Sequence, residues 1–311
     1  MAAKVMGIAA GRPNGNSEIL LKQALLACQQ GGAEVVFINL RDFTILDCTG
    51  CTVCSEGMAR GKRVPCSLKN KDDKDRIMEV MLNQDGVIFS VPTYDLTPAS
   101  NYLTFAHRNL AYETAFLEHI GAIEHKDRVA GLIAVGGSMH DWQSMALSAL
   151  QATTFTNSFQ IVDMLLARQC PSPAQCVLND ELMSRAYKIG ENVIKSLNTP
   201  VKERNWLGDE DEGWCPNCHS GLLIQGHPHW DGIRWPIECA VCGAGGDLVQ
   251  DGEGKWKFVI ASDGLIRDRF TNEGREHHLV EIGQTHGKFY QNRAAVDEKI
   301  KKFKELSFKG L

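Results

Sequence analysis

Apolar and polar positions follow a repeating order over roughly the first 200 residues of this chain. Five short runs are apolar on both faces, as the buried strands of a parallel sheet are. They cover residues 4–10, 34–40, 85–91, 129–135 and 160–166. Between and after these runs, apolar residues recur at helical spacing over 17–28, 73–83 and 180–197. The order predicts an α/β fold in which helices cover both faces of a parallel sheet.

Five such units fit a doubly wound sheet of flavodoxin-like strand order, 2-1-3-4-5. The pattern changes near residue 199, because residues 199–213 are polar, contain Pro and Gly, and have the composition of a linker. Short aromatic and Gly-rich segments follow, and the lysine-rich end, 299–311, predicts a terminal amphipathic helix. We therefore expect an α/β domain over residues 1–198 and a smaller domain over residues 199–311.

The composition is that of a soluble globular protein, with 43% hydrophobic and 23% charged residues in a chain of 311. A net charge of −5 gives no electrostatic reason to expect nucleic acid or an anionic membrane as a partner. No apolar run reaches the roughly 18 residues of a membrane helix, and the N-terminus lacks a signal-peptide pattern. Eight of the eleven cysteines form two clusters with metal-like spacing, so a reducing cytoplasm is expected.

The most specific motif is a pair of C-x-x-C knuckles in the second domain. Twenty residues lie between the knuckle Cys215–Cys218 and the knuckle Cys239–Cys242, the spacing of zinc ribbons. The flanking G-L-L-I and G-D-L-V segments are predicted to be short strands. A rubredoxin-type iron site also uses two knuckles, but the short spacing and the missing Gly after Cys218 favour zinc.

A second cluster lies in C-T-G-C-T-V-C, residues 48–54. Its two-residue gaps are those of a cuboidal iron–sulfur site with a more distant fourth thiolate. The candidate ligands of this [4Fe–4S] cluster are Cys48, Cys51, Cys54 and Cys66. The alternative is that these four are packed or redox-active thiols, whereas zinc fits three closely spaced cysteines poorly. Two further cysteines, Cys170 and Cys176, have no assigned role.

The loop A-A-G-R-P-N-G-N-S, residues 9–17, leaves the first strand and opens the first helix. Helix N-termini present free N–H groups and the positive end of the dipole, which suits a phosphate. The loop matches neither the dinucleotide fingerprint nor the Walker A motif. It therefore predicts a phosphate site of another kind.

Four segments resemble the NADPH-dependent FMN reductase group, which includes the iron–sulfur flavoproteins. They are G-R-P-N-G-N-S (11–17), the cysteine segment that begins at Cys48, F-S-V-P-T-Y-D-L (89–96) and A-V-G-G-S (134–138). They stand in the order found in that group, and the resemblance covers about residues 1–198. One departure is Ala10, which stands where the family has a phosphate-binding Ser.

The resemblance implies three sets of FMN contacts. The phosphate would be held by Arg12, Asn14, Asn16 and Ser17, and the ring bordered by Pro92, Thr93, Tyr94 and Asp95. The far edge of the ring would meet Gly136, Gly137 and Ser138. Tyr94 and Asp95 are the catalytic candidates, and His140 and Trp142 could wall the pocket. His107 and Arg108 are interpreted as capping or surface residues.

The implied function is that of an FMN-dependent oxidoreductase. Electrons would pass from NAD(P)H or a reduced carrier such as ferredoxin to a small acceptor, for example a quinone or nitroaromatic. One alternative is an iron–sulfur flavoprotein that carries electrons through a [4Fe–4S] cluster. Another alternative is a flavin-binding sensor or adaptor whose zinc ribbon binds a partner. The resemblance also implies a homo-oligomer, a dimer or a tetramer.

Overall fold

The computed structural model describes residues 2–139 and 141–308. Its larger sheet contains five parallel strands and a short antiparallel one. These are β1 (Lys4–Ala9), β2 (Glu34–Asn39), β3 (Gly86–Tyr94), β4 (Thr97–Pro98), β5 (Arg128–Val135) and β6 (Phe159–Ala167). The order β2-β1-β3-β5-β6, with β4 paired to β3, confirms the flavodoxin-like order. Each predicted strand is found within a few residues of its expected bounds.

The described part of the larger domain contains seven α-helices, and five of them cover the two faces of its sheet. The seven are α1 (Asn16–Gln30), α2 (Val53–Ala59), α3 (Lys74–Leu82), α4 (Ser100–His107), α5 (Thr114–His119), α6 (Ala146–Ala152) and α7 (Asp180–Leu197). One face packs against α1 and α7 through residues such as Leu21, Ala24 and Ile189. The other face packs against α3, α4 and α6 through residues such as Met78 and Phe105. Burial on both faces explains why β1, β3 and β5 lack alternating polar positions. The edge strand β2 is apolar in sequence but largely exposed, so its expected burial on both faces was wrong.

The C-terminal region builds a second, antiparallel sheet around the four knuckle cysteines. Its strands, in the order β10-β9-β8-β7, are β7 (Leu223–Gln225), β8 (Ile237–Cys239), β9 (Gly245–Gln250) and β10 (Trp256–Ile260). Two of them, β7 and β9, overlap the predicted strands. The core consists of the cysteines with few apolar side chains, such as Val241 and Phe258. We call residues 214–270 the cysteine module.

A long C-terminal helical arm follows this module. It consists of α8 (Asn272–Gln291), α9 (Arg293–Lys299) and α10 (Lys301–Glu305). The expected helix over 299–311 overlaps α10, and its last three residues lie outside the described part of the chain. Arg275 of α8 is 5% exposed and fastens the arm to the larger domain. Its guanidinium donates to Phe155 O and to Ser158 Oγ and pairs with Glu113 at 3.4 Å.

The polar segment 199–213 is bonded to the larger domain along part of its length. The N–H of Leu207 donates to Val162 O of β6 at 2.9 Å, and Leu207 O accepts from Asn192 at 3.0 Å. Asp209 pairs with Arg185 of α7 at 3.0 Å. The segment therefore covers part of an edge strand whose backbone groups would otherwise lack partners. Division into domains at 198/199 remains a prediction from composition.

Candidate flavin and metal sites

The carboxyl ends of β1, β3 and β5 meet at one edge of the larger sheet and frame a cavity of about 200 Å³. It is lined by Gly11, Arg12, Gly15, Asn16, Ser17, Pro92, Thr93, Tyr94, Val135, Gly136, Gly137, Cys170 and Pro171. A neighbouring cavity of about 580 Å³ is lined by Thr93, Tyr94, Asp95, Leu96, Gly136, Gly137, Ser138, Trp142 and Gln143. Parallel α/β sheets bind ligands at this edge.

Ten of the eleven residues expected to contact the cofactor line one of these two cavities. The exception is Asn14, which is exposed and has a φ of 54°. Its backbone N–H is directed to the carboxylate of Glu18, which also meets Lys22 at 2.6 Å. Burial raises the pKa of Glu18, but the bonds from Lys22 and Asn39 outweigh it, so the pKa is lowered. The loop thus carries an ionised, paired carboxylate beneath it.

The side chain of Asn16 is already engaged within the protein. Its Nδ2 donates to Cys170 O at 2.9 Å and to Ser172 O at 2.8 Å, and its Oδ1 accepts from Cys176 N at 3.0 Å. Asn16 therefore ties the first helix to the loop that follows β6. Asn16 can still donate its backbone N–H, in the first turn of α1, to a phosphate.

Two asparagines that were not identified from the sequence donate hydrogen bonds to the phosphate loop. Asn39, at the end of β2 and 2% exposed, donates to Gly11 O at 2.9 Å. Asn101, on α4, donates to Ala10 O at 2.9 Å. These bonds fix the loop carbonyls and hence the loop conformation. A polar residue ending an otherwise apolar strand, as in I-N-L, was the available signal for Asn39.

Gly11 is required by the close approach of Ser17. A Cβ atom at Gly11 would lie 2.1 Å from Ser17 Oγ, well inside contact distance. Ser17 is 3% exposed and lines the smaller cavity. The absent Cβ therefore lets the Ser17 hydroxyl lie against the loop, where it can donate to a bound phosphate.

A tight hairpin forms one rim of the larger cavity. Strands β3 and β4 pair Tyr94 with Thr97, so only Asp95 and Leu96 form the turn. Both have positive φ, 47° and 68°, as a two-residue primed turn requires. Glycine or asparagine usually occupies such positions, because a left-handed conformation disfavours other residues. The turn holds Leu96 and the half-exposed Tyr94 at the cavity.

The opposite rim contains the Gly-Gly loop after β5. A Cβ at Gly136 would lie 2.4 Å from the side chain of Gln143, so this glycine also allows a close approach. Gln143 is 2% exposed and was not singled out from the sequence. Trp142 beside it is 70% exposed and lines the larger cavity. His140 lies outside the described residues.

Cys170 and Cys176 lie behind the phosphate loop. Burial raises the pKa of the Cys170 thiol, and it raises the pKa of Cys176 to about 11. Both side chains are therefore protonated at neutral pH, and both belong to the core on the α1 and α7 face. Their observed contribution is packing, together with the backbone groups that hold Asn16.

The first cysteine cluster lines a separate cavity of about 210 Å³ between α2 and α4. All four candidate ligands, Cys48, Cys51, Cys54 and Cys66, contribute to its wall. Within residues 2–139 and 141–308, these four do not form a group whose sulfurs all lie within 4.8 Å of one another. That separation is too wide for one metal ion, but a cuboidal cluster holds its thiolates farther apart.

Arg108 also lines this cavity; it occupies the C-cap position of α4, as the capping interpretation expected, but it is not a surface residue. It is 2% exposed and forms an ion pair with Asp72. Burial disfavours its charge, but Asp72 and then Cys66 more than offset this, so the pKa of Arg108 is raised. Its Nε and Nη2 atoms are buried and find no acceptor among the described residues. A permanent positive charge, paired with Asp72, thus lies in the wall of this cavity close to Cys66.

The second cysteine cluster converges on one point. The ligand atoms of Cys215, Cys218, Cys239 and Cys242 all lie within 4.8 Å of one another, and all four residues are buried. The Cys215–Cys242 and Cys218–Cys239 sulfur distances are 3.7 and 3.6 Å. Four thiolates placed tetrahedrally about 2.3 Å from one ion would be about 3.8 Å apart. The cluster is therefore built to hold a single metal ion.

No described helix combines the length and the apolar composition needed to cross a membrane. The fold and the loops at its ligand-binding edge define a flavin-dependent oxidoreductase. The family model for NADPH-dependent FMN reductase matches residues 3–169. Since this match spans more than half of the chain, the protein belongs to that family.

Two similar proteins match different extents of the chain. Flavone synthase cfoJ of Aspergillus candidus is 24% identical over 314 residues, which cover 90% of this chain and 89% of that protein. An iron–sulfur flavoprotein of Methanocaldococcus jannaschii is 29% identical over 160 residues, 51% of this chain and 75% of that protein. A solved structure of a flavone reductase covers 99% of both chains, with a TM-score of 0.75 and 23% identity. That structural likeness establishes a shared fold that includes the cysteine module.

Proposed function

We propose that this FMN-dependent oxidoreductase uses NAD(P)H to reduce a planar aromatic carbonyl compound of the flavone type. The extent of similarity supports this substrate class, because the similarity to flavone synthase spans both the reductase half and the cysteine module. Quinones and nitroaromatics are smaller planar acceptors that the same open site would admit. In keeping with its family, we propose that the protein works as a homo-oligomer in the cytoplasm.

The residues present fit FMN. Backbone N–H groups at the start of α1, the Ser17 hydroxyl and the exposed Arg12 would hold the phosphate. Gly136 and Gly137 line both cavities and present no side chain to a ring edge there. When bound, FMN supplies the hydride chemistry. The protein positions the substrate and manages a proton.

Tyr94 and Asp95 are the proposed catalytic residues because they lie on the rim of the larger cavity. The Tyr94 hydroxyl can donate to a carbonyl oxygen or provide the proton that accompanies a hydride. Asp95 can orient the substrate by accepting a hydrogen bond. Trp142 offers an exposed ring against which a flat substrate can stack.

We expect FMN-loaded protein to reduce flavone with NADPH or NADH under anaerobic conditions, as followed by chromatography of the product. Trp142→Ala should raise KM about tenfold, since stacking is worth roughly 0.5–1.5 kcal/mol. Tyr94→Phe should lower kcat about 100-fold if its proton is used. Trp256→Ala, which replaces an exposed tryptophan on β10, is the matched control. Turnover of menadione but not of flavone would contradict the substrate class and favour a quinone.

A second candidate function is electron transfer through an iron–sulfur cluster. The supporting observation is that the four cysteines share one cavity with Arg108, whose buried donors lack acceptors in the described chain. A four-thiolate cluster is anionic, so a buried cation with free donors would stabilise it. A reduced ferredoxin is the proposed donor in this case.

The proposed [4Fe–4S] cluster can be tested by the metal content of the protein. Protein purified without oxygen should contain about four irons per chain and the absorption of a cuboidal cluster. Cys51→Ser should lose most of the iron and leave the zinc content unchanged. Cys28→Ala, at a buried cysteine outside both clusters, should keep the iron. One zinc and no iron in the wild-type protein would exclude the cluster and leave the first four cysteines as thiols.

We propose zinc as the ion of the cysteine module. The two knuckles and the sulfur distances fit a structural zinc site, and so small a core requires a metal for stability. Iron of the rubredoxin type would use the same geometry. Metal analysis of the purified protein distinguishes the two ions.

A further inference from the structure

The last two helices of the C-terminal arm extend away from the domain that carries them. Near the end of α8, the Arg60 guanidinium on α2 donates to the Tyr290 hydroxyl at 2.8 Å. Every residue from 288 to 308 is exposed, so α9 and α10 gain little from packing against their own chain. Short isolated helices are marginal in water, and the packing of an apolar face normally stabilises them. These two helices therefore call for a surface outside their own fold.

The end of the arm is amphipathic and basic. Val296, Ile300 and Phe303 are spaced by four and three positions, so they form one apolar stripe, and Ile300 joins α9 to α10 with helical dihedral angles. Residues 288–311 contain seven Lys and Arg against three Asp and Glu, a net charge of +4. Since the whole chain has a net charge of −5, its other residues carry −9. A partner for the arm should be acidic and partly apolar.

A groove with this character lies between α6, the end of β6 and the cysteine module, and has a volume of about 520 Å³. Its half-buried apolar side chains are Leu147, Leu166, Trp214 and Leu222. Asp209, Asp211 and Glu212 add three carboxylates to its lining, against one guanidinium from Arg168. All four residues of the acidic segment 209–212 are exposed. The groove thus offers apolar contacts beside accessible negative charge.

We propose that the arm of a second copy of this chain docks in this groove, with its apolar stripe inward and its lysines against segment 209–212. Residues at helical spacing that enter an apolar groove are a recurrent mode of recognition between a helix and a protein. Opposite charges on the two surfaces speed the encounter and fix the register. The inference rests on the homo-oligomer of the proposed function.

Two other pairings fit the structure less well. The chain's own arm is anchored by Arg275 to Phe155 and Ser158, which precede β6, whereas the groove lies where β6 ends. An anionic membrane would attract the arm but repel the rest of the chain, whose net charge is −9. A second copy avoids both difficulties. Each copy carries an arm and a groove, so the exchange is reciprocal and closes as a two-fold dimer.

The test cross-links an equal mixture of unlabelled protein and protein labelled with heavy nitrogen, both loaded with FMN, after their subunits have exchanged. A carbodiimide joins an ammonium group to a carboxylate in contact with it. Peptides that contain Lys301, Lys302 or Lys304 should be joined to the peptide that contains segment 209–212. About half of these pairs should combine one labelled with one unlabelled peptide, as mass spectrometry measures.

Variants on both surfaces should change the yield of these mixed pairs. Ile300→Asp combined with Phe303→Asp should lower it at least about tenfold, because charges on the stripe cannot enter an apolar groove. Ser144→Trp, at an exposed position on the groove, should also lower it about tenfold. Ile224→Asp combined with Val259→Asp, at two exposed positions of the cysteine module off the groove, is the matched control and should leave it unchanged. Thermal melting checks that each variant is folded.

Mixed pairs that persist in the Ile300→Asp, Phe303→Asp variant would overturn the inference. Pairs of one label only would do so too, since the arm would then fold onto its own copy. Sedimentation separates this failure from that of the proposed function. An oligomer without mixed pairs would leave the homo-oligomer standing, whereas a monomeric wild-type protein would contradict both. Binding to phosphatidylserine vesicles that the same variant abolishes, without mixed pairs, would assign the arm to a lipid surface instead.

Discussion

Cys239→Ala should remove the metal from the cysteine module and unfold its sheet. The module buries the four thiols with few apolar side chains, so its own core is too small to stabilise it. Structural zinc contributes about 10–16 kcal/mol in small zinc-binding peptides, and three remaining thiols hold it far less well. We expect less than one tenth of the wild-type zinc content and rapid proteolysis within residues 214–270, measured by metal analysis and mass spectrometry.

Cys170→Ala is the control for this experiment. It removes a buried cysteine that lies outside both clusters, so zinc content and protease resistance of the module should stay at the wild-type level. A chelator should reproduce the effect of Cys239→Ala on the wild-type protein. A protease-resistant module without metal would show that packing against α6 alone maintains it.

Gly11→Val should abolish FMN binding at micromolar concentrations while the fold is retained. The new Cβ would lie 2.1 Å from Ser17 Oγ, so the hydroxyl must rotate away from the loop, and the valine methyl groups would take the space where a phosphate would approach. Losing two hydrogen bonds to a phosphate at about 1.5 kcal/mol each corresponds to a loss in affinity of roughly 100-fold. Flavin fluorescence quenching gives the dissociation constant, and circular dichroism reports the fold.

Gly252→Val provides the matched control, because a Cβ at Gly252 meets nothing within 4 Å. Its FMN affinity should equal that of the wild-type protein. Unchanged FMN binding by Gly11→Val would mean that the phosphate is held elsewhere. It would also remove the main support for assigning this loop to the phosphate.

The larger sheet could be predicted from the sequence because its signal is local. Strands buried on both faces appear as continuous apolar runs, and their order follows from the succession of strands and helices. The helix α8 was missed because its twenty residues include three glycines and no clear apolar stripe. Tertiary contacts hold it instead, above all those of the buried Arg275.

In the candidate sites too, local motifs could be predicted from the sequence and long-range contacts could not. The phosphate loop, the Gly-Gly loop and both cysteine clusters were found because each is a short motif. The burial of Arg108 was not predicted, because it depends on Asp72, thirty-six positions away in sequence. The roles of Asn16 and Asn39 depend likewise on partners that only the folded chain brings near.

By itself, the sequence determined the strand order, the loops that line the ligand-binding edge and the four converging cysteines of the cysteine module. These features depend on apolar periodicity and on the spacing of neighbouring residues. The tertiary structure alone decided which polar atoms remain without a partner. Among the described residues, the unpaired donors of Arg108 and the unpaired oxygen of Gln151 follow from hydrogen bonds between distant segments. Such pairing depends on distances within the folded chain, which local patterns do not encode.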